Sequence, residues 1–255
     1  LESELEILYR DPRLIAINKP SGLLVHRSAI DRHETRFAIQ LLRDQIGQRV
    51  YPLHRLDKPT SGVLLFALDS ETAREMMAQF QQHTVEKRYL AVVRGYTEVE
   101  ATIDYALKEE LDKTTDRKAR QDKEAQSAVT HYRRLATAEL PISDGRFPTS
   151  RYSLIEAKPE TGRKHQIRRH MKHIFHPIVG DTSHGDGRHN RIFRDHFKCH
   201  RLLLAASELA FTHPSDGKRI TLRATVGDDY SAVLAHLSWR DIVEHSGAES
   251  PHSAA

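Results

Sequence analysis

The stretch His54-Arg55-Leu56-Asp57-Lys58-Pro59-Thr60-Ser61-Gly62-Val63-Leu64-Leu65 places one carboxylate between two apolar segments. Its Pro, Thr, Ser and Gly describe a loop feeding a buried strand. A carboxylate at such a mouth, with Arg55 two positions before it, suits a nucleophile or a general base. A turn aspartate that accepts backbone N–H bonds carries the same local signature, so these residues alone leave both roles open.

Basic side chains gather in two further stretches. Gly162 to Lys172 reads GRKHQIRRHMK without an acid, and Lys113 to Lys123 reads KTTDRKARQDK with Asp116 and Asp122 interleaved. Both suit a surface that tracks phosphates, and a solvated face explains the second equally well. The formal net charge of +4 and a pI of about 9.1 agree with a polyanionic partner without requiring one.

Other chemistries fit less well. A single cysteine, Cys199, excludes an intramolecular disulfide and a multi-cysteine zinc site. His165, His170, His173 and His176 lie close together, but the acid of an HExxH helix is missing and basic residues surround them. They read as RNA-facing or polar surface groups, and no metal is expected. Neither the dinucleotide-binding nor the P-loop glycine pattern occurs. No apolar run suits a spanning helix and no leader pattern opens the chain, so the expectation is a cytoplasmic protein without a membrane partner.

These groups need elements to hold them. Leu5 and Ile7, then Leu14, Ile15 and Ile17, suggest two short strands split by Asp11-Pro12. Helical spacing runs from Thr35 to Ile46 with Gly47 as a stop, and a second helix starts at Asp69 or Ser70 with Ala73, Met76, Met77 and Phe80 on its apolar face. Strands are expected at 63–68, 89–93, 102–107, 128–140 and 151–158, and a hairpin at 209–212 and 219–224. A helix is expected from Gln166 to Phe175, an irregular loop from Gly180 to Arg201, and a final helix from Asp228 or Asp229 through Trp239. Irregular order of strands and helices argues for a mixed α+β sheet rather than a doubly wound one. One domain, residues 1–243, is expected, with 244–255 as a disordered tail.

The string HRLDKPTSGVLL resembles the catalytic motif of the RluA-type pseudouridine synthase family. Other stretches are similar to that family's motifs, in the same order: Asn18 to Gly22 (NKPSG), Lys87 to Gly95 (KRYLAVVRG), Thr161 to His170 (TGRKHQIRRH) and His176 to Asp181 (HPIVGD). The resemblance covers roughly residues 5 to 226. It implies the pseudouridine synthase fold: a mixed, mostly antiparallel central sheet with flanking helices and a catalytic cleft. Val25-His26-Arg27-Ser28, the basic loop before Ala128 to Tyr132, and Arg151-Tyr152 are most similar to the branch acting on transfer RNA at uridine sixty-five, in the T stem. No added N-terminal RNA-binding domain is expected. One departure is Ala205 in Arg201 to Ala206 (RLLLAA), where family members often carry His.

The resemblance implies roles. Asp57 is the catalytic carboxylate, Arg168 its paired arginine and Tyr89 the tyrosine packed on the target base. Arg55 fills the gap left by the extruded nucleotide, and Arg163, Lys164 and Arg169 contact phosphates. Lys19 is either a phosphate contact or a turn lysine. Isomerising uridine changes no redox state and loses no group, so no cofactor is expected. The reaction needs a nucleophile or base, a hold on the detached uracil, and exclusion of water. The implied partner is tRNA or another structured RNA, met by a monomer. A ribosomal RNA synthase is the first alternative. A non-catalytic RNA-binding protein is the second, and it has no need of Asp57 and Tyr89.

Overall fold

The computed structural model describes residues 4–27, 34–109 and 124–246. Ser28, the basic loop 113–123 and residues 247–255 of the expected tail lie outside the described residues. The strands are β1 (Ile7–Arg10), β2 (Leu14–Lys19), β3 (Tyr51–Pro52), β4 (Ser61–Ala67), β5 (Glu86–Arg94), β6 (Glu100–Asp104), β7 (Val129–Leu140), β8 (Ser150–Pro159), β9 (Leu204–Thr212) and β10 (Arg219–Arg223). They form one sheet in the order β1-β2-β4-β9-β5-β8-β7-β6, with β3 on β4 and β10 on β9. Every pair is antiparallel except β4 with β9, which pair in parallel at Ser61 and Gly62. That is the mixed α+β sheet with flanking helices the sequence implies.

The parallel junction depends on a missing side chain. Gly62 has φ of +115°, and a Cβ there would run into the backbone of Ala206. Ala205, where a His is usual in the family, is 2% exposed and packs in an apolar cluster with Val92 and Leu203. The departure is therefore absorbed in the core.

Strand alternation sorts the core into two layers. On one face Ile15, Ile17, Leu64 and Phe66 pack on α1 (Ala38–Ile46), and Ala91, Val93, Ile155 and Ala157 pack on α3 (Gln166–His173). Tyr89 touches both of these clusters. On the other face Leu14, Ala16 and Leu65 pack on Met76 of α2 (Ser70–Gln81), while Val92, Tyr152 and Leu154 meet α4 (Gly187–Phe197) and α5 (Asp228–His236). The Asp69 carboxylate caps α2 by accepting from Thr72 N.

Three expectations need correction. The segment 180–201 holds α4 rather than only loop, because Asp186 caps it through Arg188 N and His189, Ile192 and Phe193 share a buried face. His189 belongs to that face because its Nδ1 meets the Tyr152 hydroxyl at 2.9 Å. The final helix is two: α5 starts after Gly227, and Ser238, at φ +59°, turns the chain into α6 (Arg240–Ser246). That turn tucks Trp239 against α5, with Trp239 N on Leu234 O. Residues 244–246 are thus helical rather than tail.

Candidate active site

A cleft of about 580 Å³ opens on the face that carries α3. Asp57 enters it from the loop between β3 and β4, Tyr89 from β5 and Arg168 from α3. The loop is tight. Asp57 O accepts from Thr60 N at 3.0 Å, and Lys58 O accepts from Gly22 N at 2.8 Å.

Lys19 braces the same loop from beneath. It is wholly buried, and its Nζ donates to Pro20 O, Leu23 O and Lys58 O at 2.9, 2.8 and 3.2 Å. A group so enclosed cannot meet a phosphate, so the turn role holds and the RNA contact does not. Burial, followed by the charge of Arg201, pushes its amine down to about 7, against the pull of Asp57.

Arg168 is 4% exposed and sits between two carboxylates. Its fork grips Asp181, with Nε to Oδ2 at 2.7 Å and Nη2 to Oδ1 at 2.9 Å. A single bond, Nη1 to Asp57 Oδ2 at 3.1 Å, reaches the catalytic candidate. The two-oxygen grip falls on Asp181, and Asp57, the implied partner, takes the single bond. Asp181 also accepts from Ser183 N and His184 N. Burial raises its pKa, but the Arg168 bond and these amides outweigh it and hold the carboxyl below the usual carboxylate range. HPIVGD marks this aspartate in the sequence, but no spacing rule joins it to Arg168.

Two nitrogen groups near Asp57 meet the same oxygen. Arg168 Nη1 and, at 3.9 Å, His165 Nε2 both face Oδ2. Oδ1 has no hydrogen-bond partner among the described residues. His165 itself caps α3 in the left-handed region, at φ +55°, and its Nδ1 lies 2.9 Å from His184 Nε2. Sequence reasoning placed His165 on an RNA-facing surface and His184 in a loop, and missed their pairing.

Tyr89 faces Asp57 across the floor. Burial first, and then the negative charge of Asp57, push its phenol well above the ordinary tyrosine range. It stays neutral at physiological pH and offers a ring face rather than a base. Its hydroxyl has no hydrogen-bond partner among the described residues. His54 underlies the loop: its Nε2 accepts from Leu65 N at 3.1 Å, and its ring stacks on Phe80 at 5.3 Å. Burial and the charge of Lys87 drive its pKa down to about 3.

The remaining candidates lie at the rim. Arg55 and Arg163 are exposed and line the cleft, with Arg163 Nε donating to Ser127 O. Lys164 is exposed beside them and Arg169 is half-buried on α3. The histidine group disperses. His170 is wholly buried between Thr130 Oγ1 and Tyr105 O, so it is not a surface group; His173 stacks on Tyr105, and His176 bonds Arg94 O. Among the described residues no set of three or more His, Cys, Asp or Glu is placed to hold a metal, and no helix is long and apolar enough to cross a membrane.

Fold and site together describe a cleft in which one carboxylate, tied to a buried arginine, stands with a tyrosine ring. Residues 13–173 match the RNA pseudouridylate synthase family, and the chain belongs to that family, whose members are isomerases. It is 58% identical to a "tRNA pseudouridine synthase C" of Vibrio parahaemolyticus, over 92% of this chain and 96% of that one. A protein of the same name from Vibrio cholerae is 59% identical over 93% of this chain and 97% of the other. Among solved structures, human RNA pseudouridylate synthase domain containing 4 superposes with a TM-score of 0.69 at 26% identity, covering 91% of this chain and 93% of that one.

Proposed function

We propose that the chain converts a uridine of tRNA to pseudouridine, at position 65 in the T stem, with Asp57 as the catalytic carboxylate. The observation that carries the chemistry is the asymmetry of Asp57, which lines the cleft: Oδ2 is tied to Arg168, and Oδ1 has no hydrogen-bond partner among the described residues. The name shared by the Vibrio relatives supports tRNA as the substrate. Residues 1–243 act as one catalytic unit, a monomer in the cytoplasm.

The reaction breaks the bond from N1 of uracil to C1′ of the ribose and makes one from C5 to C1′. A proton leaves C5 and another is taken up at N1. Oδ1 is the oxygen that reaches the nucleotide, whether it adds to the sugar or removes a sugar proton. Arg168 keeps the carboxylate aimed as RNA covers the cleft and water leaves. Tyr89 holds the loosened base by its ring face while the base turns. A stem uridine must first leave its stack, at a cost of a few kcal/mol, and Arg55 at the rim is placed to fill the space.

Site-resolved mapping of pseudouridine on unmodified total RNA, with wild type and Asp57→Ala in parallel, tests this. Formation at one T-stem uridine by wild type alone is the expected result. Formation at a ribosomal position overturns the substrate, and RNA binding without any pseudouridine overturns the enzyme.

A further inference from the structure

Lys87 lines the same cleft and has no role in the chemistry described above. It precedes Tyr89 by two residues on β5, so both side chains project from one face of the sheet, roughly 6.6 Å apart along the strand. Its Nζ has one weak contact, Thr161 O at 3.5 Å. No described carboxylate pairs with it.

The other cations of the site are differently placed. Arg168 is held by two carboxylates, Lys19 by three carbonyls, and Arg163 by Ser127 O. Lys87 alone among these is half-buried with neither a carboxylate nor a close carbonyl. Burial lowers its pKa, and no neighbouring carboxylate opposes that shift. His54 beside it is held neutral and supplies no counter-charge. A partly desolvated ammonium in this state is unfavourable until an anion joins it.

We propose that Lys87 is the receptor for a phosphodiester of the bound RNA, one backbone group away from the nucleoside held by Asp57 and Tyr89. Lys87 and Tyr89 stand roughly 6.6 Å apart along β5, so the anion at Lys87 is a different group of the ligand from the ring over Tyr89. Gln81 at the end of α2, His83 after it and Thr161 before α3 line the same cleft. This inference rests on the RNA-modifying function proposed above, and it assigns that site a backbone anchor.

The test measures binding of an unmodified tRNA transcript over a range of salt, in an Asp57→Asn background that blocks turnover. Lys87→Met is compared with Lys87→Arg, and thermal melting checks that both fold. Lys87→Met is expected to weaken binding about ten-fold or more at low salt. The slope of log K against log salt should fall by about 0.7–0.9, the share of one phosphate contact, with Lys87→Arg close to the lysine form. In the active protein the same change should raise KM and spare kcat. Unchanged affinity and slope for Lys87→Met overturn the proposal. So does a loss of kcat with affinity and slope intact, which would assign the ammonium to the detached uracil. Should wild type make no pseudouridine in tRNA, the functional reading fails separately from this one.

Discussion

Asp57 and Asp181 flank the same guanidinium, yet their surroundings differ in kind. Asp181 is 2% exposed, takes the two-pronged grip of Arg168 and accepts two backbone amides as well. Asp57 is partly exposed, takes one N–H on Oδ2, and has no hydrogen-bond partner on Oδ1 among the described residues. A carboxylate with both oxygens engaged is an anchor, whereas one with an unengaged oxygen can react. Arg168 thus transmits the rigidity of the first to the aim of the second. The catalytic group is held by something that is itself held.

Substitutions at each end sharpen this contrast. Asp57→Asn should lower kcat by about 10³-fold or more while the urea midpoint stays near wild type. Asp181→Asn should act in the opposite order of severity. It leaves a buried guanidinium short of its counter-ion and should destabilise the fold by about 3–5 kcal/mol in urea titrations, with activity falling as a consequence. If Asp181→Asn melts like wild type, the anchor role is wrong.

Arg168→Lys keeps a charge but loses the planar fork, so Asp57 should swing. A loss of about 10²-fold in kcat is expected, with a smaller change in KM. Tyr89→Phe should reduce kcat/KM by less than about ten-fold because the ring is the working part. Tyr89→Leu should lose roughly 1–3 kcal/mol of stacking, read as weaker RNA binding.

A further expectation concerns pH. His54 has a folded-state pKa of about 3 against an ordinary 6.5, so below 6.5 the unfolded chain binds a proton that the folded chain refuses. Stability should therefore be complete above pH 6.5 and decline as pH falls toward 3, by up to about 1.4 kcal/mol per unit. His54→Gln should flatten that limb in thermal melts taken across the range, and an unchanged limb would remove His54 as its source.

Much of this arrangement was legible before any coordinates. The loop carrying Asp57, the strand carrying Tyr89 and the helix carrying Arg168 all follow from turn residues, alternation and helical spacing. What was not legible depended on partners distant in sequence. Lys19 was left open because a lysine in a Pro-Ser-Gly turn looks the same whether it meets phosphate or carbonyl. The helix α4 was hidden because His189 reads as polar until Tyr152 supplies its bond. The pairing of His165 with His184 joins a helix cap to a loop nineteen positions later, and no periodicity connects them.

The sequence by itself named the residues that could do chemistry through their resemblance to a family's motifs, because local spacing left Asp57 open to a turn role and Tyr89 to a core role. The irregular order of strands and helices determined the α+β class. Only the tertiary structure decided which oxygen of Asp57 is open, which carboxylate Arg168 grips with its fork, and which lysine is sealed in the core. Those outcomes turn on distances between segments far apart in the chain. They are set when the sheet closes and α3 docks on it, because only then do burial and counter-charges exist.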